Sequence, residues 1–245
     1  MNRIDVLDNG YVRLEQITGN DLSTVNSARV SFDKKSLEFT EKDKRLIRFL
    51  ANHGHTSPFR HIFVTFECYA PLMIARQWWK YIVGSDHRDP FTAWNESSRR
   101  YITEEPEFYL PSDGEWRKAP ENSKQGSGEC LSEAHGFVWT HALATLQGEC
   151  IDLYEAALAE GVCAEQARLF LPAYGLYVRW YWSASLQGVA HMLNQRLAHD
   201  SQKEFQMYAR AVYGLLIEHF PESLKVLVND IKEGDYSDRK QKQSN

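Results

Sequence analysis

Residues 61–69 read His-Ile-Phe-Val-Thr-Phe-Glu-Cys-Tyr, and Pro71 follows two residues on. A run so rich in β-branched and aromatic side chains fits a strand. Pro71, whose φ suits a first helical position, then opens a helix to about Tyr81. The same order recurs at 176–184, Leu-Tyr-Val-Arg-Trp-Tyr-Trp-Ser-Ala, a second strand that runs into a helix over 185–198. Residues 3–18 add a hairpin: Ile4, Val6, Val12 and Leu14 alternate with polar neighbours, and Asp8-Asn9-Gly10 supplies the turn. Strands that pair locally, with helices clustered between and after them, indicate an α+β domain with an antiparallel sheet.

The remaining helices follow from caps and period. Asn20 or Asp21 caps a helix to about Ser31. Thr40 caps another over 40–53, with Asp43 at its third position, Leu46, Ile47, Phe49 and Leu50 on its apolar face, and Gly54 ending it. Glu107-Phe108-Tyr109-Leu110 reads as a short strand and 112–128 as a surface loop. A long helix is expected from about Glu129 to Glu160, where Leu143, Leu146, Cys150, Leu153, Tyr154 and Ala157 keep a 3–4 spacing. A short helix at 164–171 stops at Pro172, and further helices span 201–219 and 222–232. The expectation is one domain over 1–233 and a disordered polar tail over 234–245.

A charged share of 25% and an apolar share of 43% are ordinary for a soluble protein. The N-terminal residues lack the apolar core of a signal peptide, and no apolar run is long enough to span a membrane. The four cysteines form no C-x-x-C pair and read as free thiols, so a cytoplasmic location is expected. A net charge of −5 argues against binding a nucleic acid polymer.

Against that negative balance, Ala75 to Tyr101 concentrates five Lys/Arg and six aromatics in 27 residues. Guanidinium forks beside flat rings suit a planar anion such as a nucleotide or flavin; a polar surface helix and loop anchored by Trp is the plainer reading. On the helix at 185–198, Val189, Leu193 and Arg196 fall within about one sixth of a turn. Arg196 at the end of an apolar stripe either reaches for water or holds an anion. Gln187, His191 and Asn194 form a second, polar face, which is either solvated or turned to a ligand. His53, His55 and His61 lack a carboxylate or Cys at metal-binding spacing and read as structural, so no metal ligand is assigned.

Asn95-Glu96-Ser97-Ser98-Arg99-Arg100-Tyr101 resembles the signature loop of the flavin-dependent thymidylate synthases (ThyX family). Arg76-Gln77-Trp78 precedes it as in that family, and three further blocks agree: His-Gly-His-Thr-Ser-Pro-Phe-Arg-His at 53–61, Ala-Arg-Leu-Phe-Leu-Pro at 167–172 and Leu-Asn-Gln-Arg at 193–196. One departure is plain. The family's Arg-His-Arg triplet is replaced by Lys80-Tyr81-Ile82, and a His87-Arg88 pair arrives later, in an apparent insertion.

The resemblance implies a ThyX-like fold and reductive methylation of dUMP to dTMP. It implies FAD as cofactor, NADPH as reductant, 5,10-methylenetetrahydrofolate as carbon donor, and a homotetramer whose active sites draw on several subunits. Arg196 would hold the uracil and favour loss of its ring N–H proton, in place of cysteine attack. The implied dUMP contacts are Gln77, Lys80, Glu96, Ser97, Ser98, Arg99, Arg100, Arg168 and Arg196, with Arg100 and Arg168 on the phosphate. The implied FAD contacts are Ser57, His87 or Arg88, Glu96, Ser185, Gln187 and His191. The last three transfer by position, because their residue types differ from the commonest family ones. His199 stands one residue early of the family's usual His, and Asp200 takes that place.

Two other functions compete. A metal-dependent nucleotide phosphohydrolase would use His53, His55 or His61 with His199-Asp200, but further His and Asp at helical spacing are missing. A single-strand nucleic-acid binder would use 75–101 as a stacking platform, against the net charge.

Overall fold

A computed structural model describes residues 2–81, 94–96, 105–121 and 126–229, with only the backbone described at 94–96. In chain order its elements are strands β1 (Arg3–Val6) and β2 (Gly10–Thr18), helices α1 (Asp21–Arg29) and α2 (Glu41–Asn52), strand β3 (Phe63–Pro71), helix α3 (Leu72–Trp78), strand β4 (Trp94–Glu96), the long helix α4 (Glu133–Ala159), the short α5 (Ala164–Ala167), strand β5 (Tyr177–Ser185), and helices α6 (Leu186–Arg196), α7 (Lys203–Leu216) and α8 (Pro221–Leu227). The strands form one antiparallel sheet in the order β1-β2-β3-β5-β4. The α+β expectation holds.

One register decides where the site forms. β3 and β5 pair along their whole length, from Phe63 opposite Ser185 to Pro71 opposite Tyr177. Each strand runs straight into a helix, so α3 and α6 start at opposite ends of the same strand pair. Nine-residue strands span about 30 Å, while helices of these lengths reach about 10 and 16 Å. The two helices therefore grow towards each other over one face of the sheet and meet at their C-termini.

The residues between them close the core. Val12, Cys68 and Trp180 lie in one rank of the sheet and are fully or almost fully buried. Trp78, at the end of α3, is fully buried; its ring meets Trp180 and Trp182 edge-on at 5.5 Å each, with Phe205 of α7 at 5.3 Å. On the opposite face Tyr11 and Tyr69 lie 5.6 Å apart, with Arg3 3.9 Å from the Tyr11 ring and Arg179 5.1 Å from the Tyr69 ring. Buried Glu67 accepts from Tyr11 Oη and, at 2.9 Å, from Arg13.

Several local expectations shift. Pro71 ends β3 and caps α3 from outside, with ψ 145°, rather than beginning the helix. Thr40 and Asp43 do form the capping box of α2, but Phe49 is half exposed, its ring tilted against His53 at 4.2 Å. The long helix begins after Ser132, because 129–131 are drawn into backbone bonds with 116–118. Residues 107–110 make one bridge, Phe108 to Leu176, instead of a strand. The 3–4 spacing on α4 marks a helix but not this chain's core: Trp139, Leu146 and Leu153 are each half exposed.

Gly10 reads as a turn residue in the sequence, yet the positive φ belongs to Leu7. Gly10 is needed for a close approach: a Cβ there would stand 1.9 Å from Tyr208 Oη and 2.8 Å from the Tyr69 carbonyl. Those two atoms are themselves hydrogen-bonded at 2.9 Å. Gly10→Ala is therefore expected to destabilise the fold by about 1–3 kcal/mol, the usual range for forced overpacking. Urea unfolding checks this, and an unchanged midpoint would show that the strand simply moves aside.

Candidate active site

Where α3 and α6 meet, Arg196 is half-buried and held on two sides. Its Nε donates to Tyr81 Oη at 2.8 Å and its Nη1 to Gln77 Oε1 at 3.1 Å. The guanidinium carbon lies 5.3 Å from the Tyr81 ring and 4.9 Å from that of Phe205. A guanidinium has five N–H donors. Among the described residues, both Nη2 hydrogens and one on Nη1 remain for a ligand after these bonds. Val189 and Leu193, which share its stripe, are fully buried, so the stripe packs and its last residue turns to the opening.

That opening is a cleft of about 290 Å³ lined by Lys80, Tyr81, Trp182, Ala184, Gly188, His191, Gln195 and Arg196. It lies near the lower end of small-ligand clefts, on the order of 300–1,000 Å³. The described lining residues include two cations, Lys80 and Arg196, and no carboxylate. The cleft therefore favours an anion or a group that becomes one.

Gln77 relays the arrangement inward. Its Nε2 donates to the Met73 carbonyl at 3.1 Å and to Gln202 Oε1 at 2.6 Å, which leaves its Oε1 for Arg196. Beyond Met73 and Gln202 lies a larger cavity of about 710 Å³. Its lining carries Arg117, Lys118 and Lys203 with Glu115 and Glu204, and Arg117 pairs with buried Glu204. Arg196 lines the smaller cleft, which is the better candidate for chemistry.

The other expected site residues divide. Lys80 and His191 border the cleft, and His191 meets the Tyr81 ring edge-on at 5.9 Å. Ser185 Oγ is engaged as the N-cap of α6, accepting from Gly188 N at 3.1 Å. Gln187, two residues on, has a buried Oε1 with no hydrogen-bond partner among the described residues. Ser57 is exposed at the start of the turn Ser57–Arg60, which packs on α6. Arg168 is exposed in the turn Arg168–Phe170, beside α4, and lines neither cavity. The Glu96 backbone pairs with Trp180, and its side chain lies outside the described residues. His87, Arg88, Ser97, Ser98, Arg99 and Arg100 also lie outside them.

Asn194 departs from its expected ligand face. It donates to the Leu227 carbonyl at 2.7 Å and accepts from Asn229 N at 3.0 Å, fastening the end of α8. Sequence reasoning misses Tyr81, Gln195, Gln202 and Trp182 as parts of this site. Tyr81 carries a signal as the middle residue of the altered triplet, and Gln195 as the third residue of the Leu-Asn-Gln-Arg block.

His53 and His55 stack near Phe49, His53 Nδ1 is 2.9 Å from the Phe49 carbonyl, and among the described residues no group of three or more His, Cys, Asp or Glu is arranged to hold a metal. Cys68, on β3, is fully buried, and burial pushes its thiol well above the ordinary range. The other cysteines do not line the cleft.

Residues 13–222 match the family described as thymidylate synthase complementing protein. The flavin-dependent thymidylate synthase of Thermotoga neapolitana is 35% identical over 236 residues, covering 95% of this chain and 97% of that one. One from Thermus thermophilus is also 35% identical over 236 residues, covering 96% and 82% respectively. A solved UMP/dUMP methylase, PolB of Streptomyces cacaoi, shares the fold with a TM-score of 0.77 at 23% identity, over 91% of this chain and 96% of that one. With a family model matching residues 13–222 and relatives 35% identical over nearly its whole length, this chain belongs to the flavin-dependent thymidylate synthase family.

Proposed function

We propose that the protein methylates dUMP at C5 to give dTMP, with FAD as cofactor, NADPH as reductant and 5,10-methylenetetrahydrofolate as carbon donor. The observation that carries this reading is the edge of Arg196 that no described residue engages, turned to a cleft with two cations and no carboxylate among its described lining residues. Uracil offers an N–H flanked by two carbonyl oxygens. A guanidinium edge against that face favours the ring with its N3 proton gone, because opposite charge stabilises the anion. Electron density in that anion reaches C5, which becomes nucleophilic without a cysteine adduct. Lys80 adds a second positive charge at the rim. Trp182 and Tyr81 offer ring surface for stacking and exclude water from one side.

The residues present fit a flavin. Gln187 Oε1 is a buried acceptor with no partner among the described residues, and the flavin ring edge carries an N–H donor. Gln187, His191 and Ser57 would hold the cofactor, with Ser185 fixing the start of α6. Bound FAD would supply the electron pair that reduces the transferred one-carbon unit to a methyl group. The phosphate of dUMP would go to Arg100 and Arg168. Because Arg168 lines neither cavity of its own chain, it would serve a neighbouring subunit's site. The half-exposed Trp139, Leu146 and Leu153 on α4 supply apolar surface for a homotetramer.

The test is direct. Protein reconstituted with FAD should turn dUMP into dTMP when given methylenetetrahydrofolate and NADPH. It should not release phosphate from nucleotides when divalent metal is added. Phosphate release without dTMP would favour the hydrolase instead.

A further inference from the structure

We infer that Tyr81 is the positioning residue that aims Arg196. Its phenol hydroxyl accepts the Arg196 Nε–H and is itself anchored by Gln195. This rests on the proposed methylation of dUMP and goes beyond it, to the group that sets the substrate's ionisation.

Tyr81 is fixed at three points. Its backbone carbonyl accepts from Trp182 Nε1 at 2.8 Å. Its ring is edge-on to His191 and lies 5.3 Å below the Arg196 guanidinium. Its hydroxyl accepts from Arg196 and donates to Gln195 Oε1. Burial raises the Tyr81 pKa, with Arg196 pulling the other way, so the hydroxyl keeps the proton it gives to Gln195 at neutral pH. The charged or titratable groups packed around it are Lys80 next in the chain and His191 and Arg196 from α6.

The chemistry of the two holders is informative. Among the described residues Arg196 is held by a phenol and an amide, both uncharged acceptors. A carboxylate in either place would fix the guanidinium as well but would cancel much of its charge. Neutral acceptors orient the fork and leave the full cation for the uracil ring. An arginine without such holders samples many rotamers.

The experiment uses the FAD-loaded protein and 5-fluoro-dUMP, whose fluorine reports ring N–H ionisation by 19F NMR as pH is varied. Bound to the native protein, the analogue should ionise at lower pH than in free solution. Tyr81→Phe keeps the ring but loses the hydroxyl. It should move the midpoint back by about one pH unit and lower kcat about tenfold, since one pKa unit is tenfold in the anion population. Flavin absorbance and thermal midpoint should hold. Gln195→Ala, on the exposed side of α6, reads the same bond from its other end and should move the midpoint the same way by less. Native-like midpoints in both variants would overturn the role of Tyr81. No binding of the analogue to the native protein would instead overturn the reading of dUMP as substrate.

Discussion

Arg196→Ala is expected to lose dTMP formation by at least about 10²–10³-fold, the cost of removing one preorganised charge-stabilising donor elsewhere. The reason is geometric as much as electrostatic. The native guanidinium is held by Tyr81 and Gln77 and still has a free edge. Among the described lining residues Arg196 is the only arginine, and Lys80 at the rim is an exposed, rotatable point charge with no fork. The fold should survive, because Val189 and Leu193 carry the packing of that helix face. Flavin absorbance and circular dichroism would therefore match the native protein while turnover is lost. Arg196→Lys should restore little, since an ammonium cannot bond Tyr81 and Gln77 and present a planar edge together. Near-native turnover in Arg196→Ala would remove the basis of the proposed chemistry.

The second large effect is on stability. Trp78→Ala should cost about 3–5 kcal/mol, the range for truncating a buried aromatic. Set against a typical total of about 5–15 kcal/mol, that is enough to unfold a large fraction of a marginal protein. Trp78 is fully buried between Trp180 and Trp182 of the sheet and Phe205 of α7, so its loss leaves a void with walls from several elements. It also adjoins Gln77, so a collapse into the void would move the amide that holds Arg196. Guanidinium unfolding gives the measurement. A loss under about 1 kcal/mol would mean that the surrounding rings close over the gap. Saturating dUMP should recover part of the lost stability by binding only the folded form.

Core and site thus share one short helix, and this explains why parts of the site are legible in the sequence and parts are not. The strands at 61–69 and 176–184, the Thr40–Asp43 capping box and the position of Arg196 at the end of an apolar stripe all come from local spacing. Backbone preference and side-chain period act over a few residues, and a single sequence displays them. The motif blocks around Gln77, Arg168 and Arg196 carry the family.

Contacts over long separations are hidden. Tyr81 meets Gln195 and Arg196 across 114 and 115 residues. Nothing near Tyr81 in the chain foretells either partner; the β3–β5 register does, by sending α3 and α6 towards each other. Gly10 looks like a turn residue until Tyr208 is set against it. Asn194 shares a helix face with His191 but is claimed by the end of α8. The apolar residues of α4 announce a helix without saying whether its neighbour lies in this chain or another. Amino-acid order alone determined the elements, their caps and the chemical types available. Which side chains meet, and so which cation has a free edge, was decided by strand register and helix packing, because those pairings depend on the whole chain's arrangement in space.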